Sequence, residues 1–237
     1  MLRVSAVHAA YGKSEALHGI DLSVAPGEVV CLIGRNGVGK SSTMKAIVRD
    51  QIAVTGGEVW FDGASLDGLR PHDIVRRGVG YVPEDRRVFA SLSVLENLRV
   101  PRPVTAPDRR MWTLDQVFAL FPQLYDYRHR TAGVMSGGEQ QMLSIARSLL
   151  TQPKLLLLDE PLTALDDRAS RMVRELLEEA LRAGTTLLMS THHLSEGMGI
   201  ATHILLLDRG RVAYSGERTA AMLANPAAVY GLCGDAA

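Results

Sequence analysis

Residues Gly34-Arg35-Asn36-Gly37-Val38-Gly39-Lys40-Ser41 match the pattern Gly-x-x-x-x-Gly-Lys-Ser/Thr, the spacing of a loop that wraps phosphate groups. Glycines allow successive backbone N–H groups to curl around an anion without Cβ clashes, and a following helix aims its positive end at the same point. In such a loop Lys40 bridges the β- and γ-phosphates and Ser41 holds Mg²⁺. A chance match would occur in roughly 1 chain in 100 of this length, so the loop is read as a nucleotide site.

A second group of residues could supply catalysis. Leu155-Leu156-Leu157-Leu158-Asp159-Glu160 is an apolar run that ends in two carboxylates, at the edge where open α/β sheets place their ligands. Asp159 is expected behind the Mg²⁺, and Glu160 is free to polarise an attacking water. Met135-Ser136-Gly137-Gly138-Glu139-Gln140-Gln141 leads into a helical pattern with apolar positions Met142, Ile145, Ala146 and Leu149. Ser136 with Glu139 is a capping box, which accounts for that pair without any ligand. Two adjacent glycines at a helix start are costly unless the backbone must approach something closely, which makes this end a second candidate anion site.

Parallel strands must carry these groups. Short apolar runs alternate with helical patterns, as in a mostly parallel α/β sheet, with strands expected at Val29–Ile33, Gly80–Val82, Leu155–Leu158, Thr186–Met189 and Ile204–Leu207. The first 30 residues, Gly57–Asp62 and Arg211–Tyr214 alternate in polarity and are assigned to a small antiparallel sheet. From about Ser91 to Leu150 strands give way to helical segments near Val94–Leu98, Leu114–Leu120 and Gly137–Leu150, read as a helical insertion. Its Pro101, Pro103 and Pro107 point to an exposed connector.

Composition narrows the classes. The 237 residues carry 26 basic and 26 acidic side chains, 46% apolar residues and two cysteines. Zero net charge argues against a dedicated nucleic-acid binder, which normally carries a basic face. Cys31 and Cys233 are too few for a disulfide framework, which suggests a reducing compartment. No apolar run approaches the roughly 18 residues of a membrane-spanning helix, and the N-terminus lacks a signal-peptide pattern.

With the phosphate loop, the Asp159-Glu160 strand end and the Ser-Gly-Gly-Glu-Gln segment in order, the chain resembles an ATP-binding cassette protein, the motor subunit of an ABC transporter. The resemblance covers nearly the whole chain. It implies a P-loop core with mostly parallel sheet, an antiparallel β subdomain and a helical subdomain: residues 1–90 and 151–237 as the core, about 91–150 as the helical part. It implies ATP and Mg²⁺ as ligands, with Gly34, Asn36, Gly37, Gly39, Lys40, Ser41 and Ser42 on the nucleotide. Tyr11 matches the aromatic that stacks on adenine. Ser136, Gly137, Gly138 and Glu139 match the signature that closes on the γ-phosphate of a second subunit, and Asp166 matches a loop that crosses that dimer interface, although a helix N-cap explains it almost as well. His192 matches the histidine that senses the γ-phosphate, with His193 beside it as the other candidate. Glu84 stands where most members have a glutamine near Mg²⁺ and water.

Gly80-Tyr81-Val82-Pro83-Glu84-Asp85-Arg86-Arg87-Val88-Phe89, Phe121-Pro122-Gln123-Leu124 and Met135 to Leu143 are similar to the ATP-binding subunits of branched-chain amino-acid and urea-type importers. After Glu160 the chain departs from that subgroup, which usually has a Gly-Leu-Ala-Pro loop and lacks Thr191-His192-His193. The resemblance implies a peripheral protein on the cytoplasmic face of the inner membrane. Its expected partners are a second ATP-binding subunit, transmembrane permeases docked around Leu92–Leu98 and Phe121–Tyr127 and, indirectly, an extracytoplasmic solute-binding protein; no nucleic acid is expected. Exporter subunits, soluble cassettes acting on DNA or ribosomes, and P-loop kinases share parts of the pattern. The soluble class usually adds a coiled coil or a second cassette.

Overall fold

The computed structural model describes residues 1–101 and 112–234. Its elements in chain order begin with β1 (Leu2–Tyr11), β2 (Ser14–Val24), β3 (Val29–Ile33), α1 (Lys40–Val48), β4 (Ala53–Phe61), β5 (Ala64–Ser65), α2 (Pro71–Arg76) and β6 (Val79–Val82). A helical stretch follows, with α3 (Val94–Arg99), α4 (Leu114–Leu120), α5 (Pro122–Asp126) and α6 (Gly137–Leu149). The chain then returns to alternation with β7 (Leu155–Leu158), α7 (Asp167–Arg182), β8 (Thr186–Thr191), α8 (Leu194–Ile200), β9 (His203–Asp208), β10 (Arg211–Glu217) and α9 (Ala220–Ala224).

Six strands form one sheet in the order β10-β9-β3-β8-β7-β6, parallel throughout except for β10. Strands β3 and β7 are apolar and buried at every position because helices or a second sheet cover both faces of this sheet. That second sheet, β2-β1-β4-β5, is antiparallel. It packs with α1 over one face of the large sheet, where Leu17, Ile20 and Phe61 meet Leu32, Leu157 and Leu188. On the other face Leu156, Leu187 and Ile204 share a core with Leu143, Ile145 and Leu177 from α6 and α7. Helix α7 shows why: Val173, Leu176, Leu177 and Ala180 fall on one stripe and are buried, while its charged residues face away.

The expected strands are present, most of them longer than their apolar runs, and one placement differs. Arg211–Tyr214 does not join the small antiparallel sheet. It begins β10, the antiparallel edge of the large sheet, because Arg209 and Gly210 at φ +45° and +73° make a two-residue turn that folds it back on β9. In the two stretches expected at a permease surface, Val94, Leu98, Phe121 and Leu124 are buried in the core, Leu92, Leu95 and Tyr127 are partly buried and Tyr125 is exposed, so core and surface roles fall to different side chains. Of the proline-rich connector, Pro103 and Pro107 lie outside the described residues. Among the described residues no helix is long and apolar enough to cross a membrane.

Candidate nucleotide site

The phosphate-loop sequence connects the end of β3 to the start of α1. Gly34 has φ +151°, and a Cβ there would lie 2.7 Å from the Leu207 carbonyl oxygen, so only glycine lets the loop leave β3 this close to β9. The Lys40 side chain folds back under the loop, donating to the carbonyls of Gly34 at 2.9 Å and Arg35 at 3.1 Å. Its ammonium also pairs with Glu160 Oε1 at 3.3 Å, and both side chains are 6% exposed. Ser41 donates to Asp159 Oδ1 at 2.9 Å, joining the loop to the end of β7.

Parallel pairing brings the rest of the site to the same edge. Strand β8 lies between β3 and β7, so His192 just beyond it meets Glu160 just beyond β7. His192 Nδ1 is 2.9 Å from Glu160 Oε2, and the His192 backbone N–H donates to the same oxygen at 3.2 Å. Thr163 donates to it as well, at 3.1 Å. Lys40, His192 and Thr163 thus hold the Glu160 carboxylate from three sides. His193 is exposed, and its N–H donates to Thr191 Oγ1 at 2.9 Å, so the pair of histidines divides with His192 on the carboxylate.

Asp159 is 1% exposed. Burial raises its pKa above the usual aspartate value, opposed by hydroxyls donated from Ser190 and Ser41. Ser190 was not anticipated, nor was Thr163. The signal available for Ser190 is a hydroxyl directly after the apolar run Leu187-Leu188-Met189, two residues before His192.

Tyr11 ends β1, with Oη 3.4 Å from Ser42 Oγ in the first turn of α1 and 41% of its surface exposed. Glu84 follows β6 and lines a cleft of about 560 Å³ with Ser41, Lys45, Asp85, Arg86 and Asp159. Ser136 caps α6 in the expected box: Ser136 Oγ accepts from Glu139 N–H at 3.3 Å and Glu139 Oε2 from Ser136 N–H at 2.7 Å. Both adjacent glycines are closely approached within the chain. A Cβ at Gly137 would meet Arg86 Nη1 at 2.7 Å, and one at Gly138 would lie 3.3 Å from Ala169 Cβ. Asp166 is the N-cap of α7, accepting from Ala169 N–H at 2.7 Å.

The family model described as "ABC transporter" matches residues 17–163, which carry the phosphate loop and the carboxylate pair. The chain belongs to the ABC transporter ATP-binding family. This cassette is 38% identical over 226 residues to the high-affinity branched-chain amino acid transport ATP-binding protein BraG of Pseudomonas aeruginosa, covering 95% of this chain and 96% of that protein. It is 30% identical over 217 residues to a probable branched-chain amino acid transport ATP-binding protein, LivF, of Archaeoglobus fulgidus, covering 91% and 92% of the two chains. The solved structure of an ATP-binding subunit of an ABC transporter superposes with a TM-score of 0.79 at 27% identity, covering 100% of the cassette and 95% of that chain. The cassette is therefore an ATPase of α/β fold.

Proposed function

We propose that this cassette powers an importer of branched-chain amino acids or a related small polar solute, working with separate membrane permeases. The observation that carries the reading is the convergence of Lys40, Ser41, Asp159, Glu160 and His192 at one sheet edge. The similarity to BraG along 95% of the chain supports the solute class. In this reading Gly34, Asn36, Gly37, Gly39 and the N–H groups around Lys40 cradle the phosphates, and Tyr11 and Ser42 border the nucleoside end. Residues 1–90 and 151–237 act as the ATP-binding core and 91–150 as the helical part.

The donor set fits Mg²⁺. Ser41 and Asp159 are hard oxygen donors on one hydrogen bond, and Glu84 lines the same cleft. Bound there, Mg²⁺ would neutralise phosphate charge and polarise the phosphoryl oxygens. Lys40 exchanges its contacts to the loop carbonyls and Glu160 for phosphate oxygens. Glu160, once free of Lys40, accepts a hydrogen bond from the attacking water and orients it in line with the γ-phosphorus. His192, already on Glu160, is placed to hydrogen-bond the γ-phosphate. Ser136, Gly137, Gly138 and Glu139 face the nucleotide of a second ATP-binding subunit, and Asp166 lies on that interface. The closed pair acts on permeases at the cytoplasmic face of the membrane, supplied by an extracytoplasmic solute-binding protein.

Uptake tests the reading. Cells lacking the gene should lose uptake of labelled leucine, isoleucine or valine, and the wild-type gene but not Glu160→Gln should restore it. Unchanged uptake of all three would remove the solute assignment.

A further inference from the structure

Strand β8 runs Thr186-Leu187-Leu188-Met189-Ser190-Thr191, and all six residues are buried. Ser190 shares a face with Leu188, which packs against the apolar residues of α1 and the small sheet. It pairs in register with Leu32 of β3 and is 0% exposed. A hydroxyl at such a place is unfavourable unless both its proton and its lone pairs are used. Here they are. Ser190 Oγ donates to Asp159 Oδ1 at 2.6 Å, in the short range of bonds to a charged acceptor, and accepts the backbone N–H of Glu160 at 3.0 Å.

Register explains how one hydroxyl reaches both residues. Leu158 pairs with Met189, so the next residue of each strand, Asp159 and Ser190, lie side by side. Beyond Asp159 the chain turns sharply, with Glu160 at φ +50°, a conformation uncommon for a residue with a Cβ. The Ser190 hydroxyl is the group that accepts the N–H of that turn. Asp159 Oδ1 therefore has two hydroxyl donors: Ser41 at the start of α1 and Ser190 on β8.

We propose that Ser190 is a positioning residue: it aims the Asp159 carboxylate at Mg²⁺ and fixes the backbone turn that presents Glu160, and so sets how strongly Mg²⁺ tightens ATP binding. The proposal rests on the reading of Asp159 as a Mg²⁺ holder. Groups that orient a ligand carboxylate from behind typically account for 10- to 100-fold in metal affinity.

The test measures ATP affinity of the full chain by calorimetry, with Mg²⁺ and with EDTA, in a Glu160→Gln background that prevents turnover. The ratio of the two affinities reports the Mg²⁺ contribution. Ser190→Ala should lower that ratio about 10-fold while leaving ATP affinity in EDTA within about 2-fold, and Ser190→Thr, which keeps the hydroxyl, should restore it. A wild-type ratio in Ser190→Ala, or an equal loss of affinity with and without Mg²⁺, would overturn the proposal. Should Ser190→Ala fail to fold, Ser190→Cys, of similar size with a much weaker donor, decides by the same ratio. Asp159→Asn separates the two levels: loss of the Mg²⁺ contribution there but not in Ser190→Ala refutes the role of Ser190 alone. Its retention in Asp159→Asn removes the metal reading together with the proposal.

Discussion

The Glu160 carboxylate receives Lys40, His192 and Thr163, so its position is set by three separate segments before any substrate arrives. A residue held this way can be changed to its amide with little effect on shape. Glu160→Gln should bind ATP with near wild-type affinity and lower kcat about 10²-fold or more, as expected for loss of a base. Phosphate release measured beside nucleotide binding checks this, and undiminished turnover would end the assignment. Cys31 offers a separate test of the interior beneath the site. Burial, aided by the charge of Glu160, pushes its thiol up to about 12. The unfolded thiol ionises near its ordinary value of about 8.5, so the stability tied to protonated Cys31 is intact below that pH and is lost as pH climbs toward 12. The stability difference between wild type and Cys31→Ala should therefore shrink by about 2 kcal/mol between pH 7.5 and 10 in denaturant titrations. A pH-independent difference would contradict the placement.

Helix ends and strand registers decide which residues meet. The caps were legible from sequence because each is local: Ser136 with Glu139 three positions on forms the expected box, and Asp166 takes the N-cap of α7. Asp166→Ala should lower the stability of the isolated chain by about 1 kcal/mol, the usual cost of a lost cap. That corresponds to about 2–4 °C in Tm for a domain of this size. An unchanged Tm would show that this cap adds nothing to the stability of the isolated chain. Non-local meetings were not legible. Ser190 reaches Asp159 across 31 positions only because β7 and β8 pair in parallel with one particular register, and an apolar run does not state its register. The approach of the Arg86 guanidinium to Gly137 is another such meeting, brought from a loop whose path depends on tertiary packing. Arg211–Tyr214 alternates as an exposed strand would, and that pattern could not tell which sheet has the free edge that the turn at Arg209 and Gly210 reaches.

At the scale of the molecule, the chemistry occupies the carboxyl edge of the large sheet, the small sheet backs α1, and the helices between β6 and β7 share a core with the opposite face. Ser41 at the start of α1, Asp159 and Glu160 beyond β7 and Ser190 on β8 are joined there by hydrogen bonds. The loop from Pro83 to Phe89 extends this connection: Arg87 pairs with Asp50 at the end of α1, and its carbonyl accepts from Arg147 of α6. In the function proposed above, this connection is what drives the membrane permeases. Affinity capture of tagged Glu160→Gln from native membranes with MgATP, with the retained proteins identified by mass spectrometry, tests it most directly. Multi-span permeases, with or without a second cassette subunit, should be retained with MgATP and depleted when EDTA replaces Mg²⁺. Recovery of ribosomal material or nucleic acid without any permease would contradict it.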